Sequence, residues 1–149
     1  MQQFILKYYD DLTIPELYDI LQLREEVFQI EQNCIYKDID DKDKKCYHLM
    51  LYNDNELVAY CRLVPVGISY DGYVSIGRVV SKTNYRKAGY GKQLMEKAME
   101  KIAQVFPYLP VKISAQLYLQ KFYESYGFIA EGEWYMEDEI PHIAMVFKL

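Results

Sequence analysis

The sequence predicts a mixed α/β fold of the α+β kind, helices packed on one sheet, as a single domain over residues 1–149. Three observations carry that expectation. Short β-branched runs alternate with amphipathic segments in the order β-α-β-β-β-α-β-α-β-β, the pattern of helices laid on a sheet. A chain of 149 residues buries a proper core without dividing into two. The middle of the chain, residues 75–95, reads as strand, polar connector, basic glycine loop and helix without a break. There Leu94, Met95, Ala98, Met99, Ile102 and Val105 recur at helical spacing directly after Gly89-Tyr90-Gly91.

Each element has its own mark. Phe4-Ile5-Leu6-Lys7-Tyr8-Tyr9 is a short first strand. Thr13-Ile14-Pro15-Glu16 reads as a capping box that starts a helix. Ile14, Leu17, Leu21 and Phe28 form one stripe of that helix, and Ile20, Leu23, Val27 and Ile30 a neighbouring one, so most of its surface is expected to be covered. Its end, residues 24–32, mixes charged with apolar positions, which suits the wall of a cleft. Residues 33–45 are irregular and rich in aspartate. They lack the glycine and closing glutamate of a calcium loop, so a solvated acidic loop is expected, with a substrate-binding loop as the alternative.

Residues 47–52 and 57–64 are strands flanking the hairpin turn Asn53-Asp54-Asn55-Glu56. Gly67 to Gly72 turns the chain into a central strand over residues 73–80. After the central helix, Pro107 and Pro110 close a connector before the strand Val111-Lys112-Ile113-Ser114-Ala115. A further helix over residues 117–126 is stopped by Gly127. Residues 128–131 and 140–148 finish as strands around a polar turn.

Charge and composition narrow the function. A net charge of −5 argues against non-specific nucleic-acid binding, so the basic residues of the central loop read as a local site. The three cysteines, Cys34, Cys46 and Cys61, have no metal-ligand spacing, so no metal is expected. With no signal peptide and no apolar run long enough for a bilayer, a cytoplasmic protein with no membrane partner is expected, as a monomer or homodimer.

The glycine loop carries the chemistry. N–H groups at a helix start lack intrahelical partners and sit at the positive end of the helix dipole. Glycines there admit a phosphate close to the backbone, and Arg86, Lys87 and Lys92 add formal charge. The other reading is a strand–helix turn that happens to hold two glycines. The Gly-Lys-Ser/Thr of a nucleotide P-loop is missing, and the order differs from the dinucleotide fingerprint.

Arg86-x-x-Gly89-x-Gly91 resembles the acyl-CoA loop of the GNAT superfamily of N-acetyltransferases, whose pattern is Gln/Arg-x-x-Gly-x-Gly/Ala. Phe122-Tyr123-Glu124-Ser125-Tyr126-Gly127-Phe128 is similar to that family's second motif. More narrowly, Arg24-x-x-Val27-Phe28-x-x-Glu31-Gln32-x-Cys34-x-Tyr36-x-Asp38-x-Asp40, Ile76-Gly77-Arg78-Val79-Val80 and Ile140-Pro141-His142-Ile143 resemble the ElaA-like branch. The resemblance covers the whole chain. It implies the acyl-CoA N-acyltransferase fold, a central sheet splayed between residues 73–80 and 111–115 and flanked by helices.

What the resemblance implies for the site is specific. Acetyl-CoA is the co-substrate, its pantetheine arm pairing with backbone near Val79 and Val80. Its pyrophosphate lies on the loop and helix start, Arg86, Lys87, Ala88, Gly89, Tyr90, Gly91 and Lys92, and Phe122 is a further cofactor contact. A small-molecule or peptide amine attacks directly, without an acyl-enzyme. Tyr123 is expected to protonate the leaving thiolate; the plain alternative is one more packed tyrosine among sixteen. The strand over residues 73–80 has no carboxylate, so the base must come from elsewhere. Glu31 and His48 are the candidates, with a water relay as a third route. Arg24 and Arg78 could grip an acceptor carboxylate, or could pair with Glu25 or Glu31. His142 is expected to be structural, and Cys34 has no evident base to make it a nucleophile.

An acetyl-CoA-dependent N-acyltransferase is therefore expected. A catalytically silent acyl-CoA sensor or docking module is the alternative from another class. A third reading keeps the fold and takes acyl chains from acyl carrier protein, as acyl-homoserine-lactone synthases do, but that needs a basic docking patch on an acidic chain.

Overall fold

The structure, a computed structural model, describes residues 1–82 and 89–148. Strand β1 (Gln2–Tyr8) leads into helix α1 (Ile14–Arg24), then come β2 (Tyr47–Asn53), β3 (Glu56–Val64) and β4 (Ser75–Ser81). Helix α2 (Tyr90–Val105), β5 (Val111–Gln116), the short α3 (Gln120–Glu124), β6 (Ile129–Glu137) and β7 (Ile140–Phe147) complete the chain. The order is the expected one.

The start of α1 is fixed by the capping box. Thr13 Oγ1 accepts the Glu16 N–H at 3.2 Å while Glu16 Oε1 accepts the Thr13 N–H at 2.8 Å. Past Arg24 the helix continues, but as a wider π-helix over Glu25–Glu31. Hydrogen bonds that skip one residue further are rare, and they recur beside functional sites. The helix expected over residues 117–126 is shorter: a 3-10 turn (Leu117–Leu119) precedes α3.

The one sheet expected is splayed between β4 and β5, as the resemblance implies, and the split divides it into two, ordered β1-β2-β3-β4 and β5-β7-β6. All their pairings are antiparallel. They meet at a single parallel bridge, Val74 to Val111, where Val74 N–H donates to Pro110 O and Lys112 N–H to Val74 O. Beyond it β4 and β5 share no ladder. Both hairpin turns, Asp54-Asn55 and Asp138-Glu139, have positive φ at both central residues, which matches the twist of the strands they join. The second turn is so tight that β6 runs through to Glu137, six residues past the expected end at residue 131.

Helices cover both faces of the first sheet. On one, Ile20, Leu23, Val27 and Phe28 of the α1 segment pack on Met50, Leu57, Tyr60 and Val80. On the other, Leu94, Met95, Ala98 and Ile102 of α2 pack on Leu49, Leu51, Val58, Ala59, Cys61 and Ile76, joined by Tyr123 and Phe128. Among the described residues no helix is long and apolar enough to cross a membrane.

Candidate active site

The gap between β4 and β5 is the natural slot for an extended ligand. β4 pairs with β3 through Ser75, Ile76, Gly77, Val80 and Ser81, which leaves its other edge facing the fork. An unpaired strand edge is a template for an added strand, and a pantetheine arm with two amides can serve as one. Midway along β4 the alternation of side chains breaks. Tyr60 to Arg62 on β3 spans Val80 to Gly77 on β4, so β4 carries an extra residue. That residue is Arg78, whose φ of 51° lies in the left-handed region that non-glycine residues avoid. As a result Ile76 and Val79, three positions apart, both face α2, while Val80 faces α1.

Helix α2 begins on Gly89 with φ 78° and no side-chain cap, so its first N–H groups point out of the helix. A Cβ on Gly91 would meet nothing within 4 Å. Lys92 is exposed in the same turn. Arg86, Lys87 and Ala88, expected in this loop, lie outside the described residues. The Tyr90 side chain is buried in the core that α2 covers, its hydroxyl accepting from Asn53 Nδ2 at 3.1 Å.

Phe122 and Tyr123 of α3 meet edge to face at 5.2 Å. Tyr123 is 6% exposed and packs in the cluster that holds Cys61 and Val79. Burial pushes its hydroxyl well above the ordinary tyrosine range, with Cys61 and Tyr118 adding to the effect. Its Oη makes no hydrogen bond to another described residue. A protonated, unpartnered phenol is what a thiolate needs beside it.

The expected base His48 is not at the slot. Its side chain is fully buried. Nε2 lies 2.8 Å from the Asp43 carbonyl, which can only accept, so Nε2 carries the hydrogen and Nδ1 accepts from Tyr60 Oη at 2.6 Å. Burial lowers its proton affinity, as do the nearby Arg24 and Arg62 charges. This geometry makes His48 a neutral core histidine. Glu31, the other candidate, ends the π-helix and is exposed.

Arg24 has a structural partner set in place of the acceptor carboxylate or the Glu25 and Glu31 pairs expected for it. Completely buried, it reaches Asp38 Oδ2 through Nε at 2.9 Å, Asp43 Oδ1 through Nη1 at 2.8 Å and the Asp38 carbonyl through Nη2. Arg62 binds the same Asp43 oxygen at 2.9 Å and both oxygens of Asp40. Arg78 pairs with Asp38 through Nε at 2.7 Å and with Asp40 through Nη2 at 3.3 Å, over the Tyr36 ring.

The acidic loop is therefore not the solvated segment expected. Asp38 and Asp43 are buried and fasten residues 38–43 across α1, β3 and the β4 bulge. Burial alone would raise the Asp40 carboxyl, but the Arg62 hydrogen bond and charge, with Arg78 behind, outweigh it and hold it at about 2. Sequence reasoning passed over Asp43 and Arg62. Arg62 had one available sign, its position two residues from Tyr60 on the same face of a strand.

Across the slot, the β5-β7-β6 sheet forms the facing wall. Cys34 Sγ reaches the Asp138 carbonyl at 3.1 Å, so the segment after the π-helix touches the β6–β7 turn. Lys112 lies over Tyr70 and Tyr73 and pairs with Glu131 at 3.1 Å. Ser114, Tyr135, Glu137 and His142 cluster beyond it. None of these was singled out by sequence except His142.

The chain is similar to known proteins over nearly its whole length. A profile of the acetyltransferase (GNAT) domain matches residues 10–149. Protein ElaA of Escherichia coli is 42% identical over 140 residues, covering 93% of this chain and 91% of its own. Its crystal structure superposes with a TM-score of 0.91 at 40% identity, over 98% of this chain and 99% of that one. A UPF0039 protein of Schizosaccharomyces pombe is 45% identical over 149 residues, 99% of this chain and 97% of its own. An acyl-CoA N-acyltransferase from Pseudomonas aeruginosa has a TM-score of 0.94 at 44% identity, with 99% of both chains covered.

Proposed function

Since the chain belongs to the acetyltransferase (GNAT) family, we propose that it moves an acetyl group from acetyl-CoA to a small-molecule or peptide amine by direct attack, acting as one domain over residues 1–149. The observation that carries this reading is the fork, two strand edges parted after one bridge, with the buried Tyr123 packed in the same cluster as Val79 of its β4 edge. The pantetheine arm pairs with the β4 edge at Val79 and Val80. A backbone N–H there polarises the thioester carbonyl as charge grows on its oxygen. The first turn of α2, from Gly89 to Lys92, receives the pyrophosphate. Acetyl-CoA supplies the activated carbonyl; the protein aligns it and manages protons.

Tyr123 gives its Oη proton to the leaving thiolate. Its raised proton affinity keeps the phenol intact through the neutral range, and positioned proton donors contribute about 10²–10⁴-fold to rate. Of the two bases expected, Glu31 is the exposed one, at the end of the π-helix, and His48 is enclosed in the core. Arg78 acts through the backbone: Asp38 and Asp40 hold its guanidinium, and this supports the bulge that aims Val79 and Val80.

The enclosure of His48 favours a second reading, an acyl-CoA sensor without turnover. Release of CoA across a panel of primary amines separates the two. The transferase reading expects turnover that falls about 10²-fold or more in Tyr123→Phe, with acetyl-CoA affinity retained. Tight acetyl-CoA binding without turnover on any amine favours the sensor.

A further inference from the structure

The β5-β7-β6 wall carries a histidine–carboxylate pair that none of the roles above uses. His142 on β7 has 9% of its side chain exposed, and its ring stacks at 6.3 Å on Tyr135 of β6. Nδ1 lies 2.7 Å from the Ile140 carbonyl. A carbonyl only accepts, so Nδ1 bears the hydrogen and the neutral ring keeps its lone pair on Nε2. Nε2 faces Glu137 Oε2 at 3.5 Å. Ser114 Oγ donates to Glu137 Oε1 at 3.3 Å and is hydrogen-bonded to Tyr135 Oη at 2.5 Å. The tautomer is thus fixed by backbone, and a carboxylate stands ready beside the atom that would take a proton.

The strands put this pair on the right side. Ile113, Ile143 and Met145 face the cluster that contains Tyr123. His142, adjacent to Ile143 in a strand, faces the opposite way. Gln116, its partner on β5, lies at the end of that strand away from the Val74–Val111 bridge, so His142 stands one strand in from the open end of the fork, on the face opposite the Tyr123 cluster. Tyr123 could then serve the sulfur and His142 the nitrogen.

We propose that His142 is the proton acceptor for the attacking amine, with Glu137 as a positioning residue that stabilises the imidazolium. The inference rests on the acyltransferase reading. As the amine nitrogen bonds to the carbonyl carbon, its proton passes to Nε2. The C–S electron pair leaves on sulfur, which takes the Tyr123 Oη proton. The proton on His142 returns through solvent to the Tyr123 phenolate, so amine and acetyl-CoA become amide and CoA thiol with no proton left over. The charged and titratable neighbours are few. β6 presents Glu137 and Tyr135, β5 presents the uncharged Gln116 in register, and Lys112 is paired with Glu131.

The test is chemical rescue in the full-length protein. CoA release is followed with lysine, putrescine, tyramine and glycinamide, and the amine turned over fastest by the wild type is kept. His142→Ala is expected to lose about 10²-fold or more in kcat, the range of a lost general base, with acetyl-CoA affinity unchanged. Added imidazole is expected to restore much of that loss, but not the loss in Tyr123→Phe. His142→Gln, which leaves no cavity, is expected to stay folded, slow and beyond rescue. Wild-type kcat in His142→Ala, or a loss that imidazole does not restore, would overturn the assignment. So would a loss of that size in Glu31→Ala that imidazole repairs. A wild type silent on every amine would instead refute the acyltransferase reading itself, and this assignment with it.

Discussion

Asp43 is the joint of the arginine–aspartate cluster, and removing its carboxylate measures what the cluster contributes. Its Oδ1 receives Arg24 Nη1 at 2.8 Å and Arg62 Nη1 at 2.9 Å, and those side chains are 0% and 4% exposed. Breaking one partner of a buried pair typically costs about 3–5 kcal/mol, because a charge is left without compensation. Two pairs break here, but each arginine keeps a second carboxylate, Asp38 for Arg24 and Asp40 for Arg62. The two losses therefore do not simply add, and about 4 kcal/mol is expected for Asp43→Ala. With a urea m-value of about 2 kcal/mol/M, the unfolding midpoint falls by about 2 M. Asp43→Asn keeps an acceptor oxygen without the charge and is expected to fall about half as far. An exposed aspartate would change stability by no more than about 0.5 kcal/mol. A midpoint within about 0.3 M of wild type in Asp43→Ala would refute the buried network and restore a solvated loop.

Three further outcomes follow from the same geometry. Arg78→Gly and Arg78→Ala both lose the Asp38 and Asp40 pairs, but glycine accepts φ 51° without strain; Arg78→Gly is expected to be the more stable by about 1 kcal/mol in urea titration. The Asp40 carboxyl is held at about 2, below an unfolded aspartate near 3.9, so its contribution is present above pH ~4 and is lost as pH falls toward 2. Acid titration of Asp40→Asn should therefore show a shallower loss of stability across that window than the wild type. Gly91→Ala meets no protein atom, so it should leave the fold at least as stable, by up to about 1 kcal/mol of helix propensity. If the glycine exists to admit a phosphate, calorimetry should still show acetyl-CoA binding weakened about 10-fold, the equivalent of roughly 1.4 kcal/mol.

The elements that one-dimensional patterns describe were legible from sequence. Thr13 and Glu16 stand three apart, and the cap they form needs nothing else. The α2 stripe from Leu94 to Ile102 faces the core as its spacing requires. The fork followed from the family resemblance and not from periodicity, since nothing in the pattern of residues 73–80 and 111–115 says that their strands part. What stayed hidden depends on partners distant in the chain. Asp38 looked solvated because its partners Arg24 and Arg78 lie 14 and 40 residues away. His48 looked available because a strand position does not reveal that Tyr60 and the Asp43 carbonyl occupy both ring nitrogens. The ElaA-like runs were visible as separate motifs, yet Arg24, Tyr36, Asp38, Asp40 and Arg78 converge on one cluster only in three dimensions.

The central claim is direct transfer of an acetyl group from CoA to an amine, with no acetyl-enzyme between. Rapid-quench intact-mass measurement on the wild-type protein tests it, first with acetyl-CoA alone and then with the preferred amine added. The account predicts unmodified protein in both samples and acetylated amine in the second, formed in step with free CoA. An acetylated protein that forms with acetyl-CoA alone and discharges to the amine, for instance at Cys34, would contradict it.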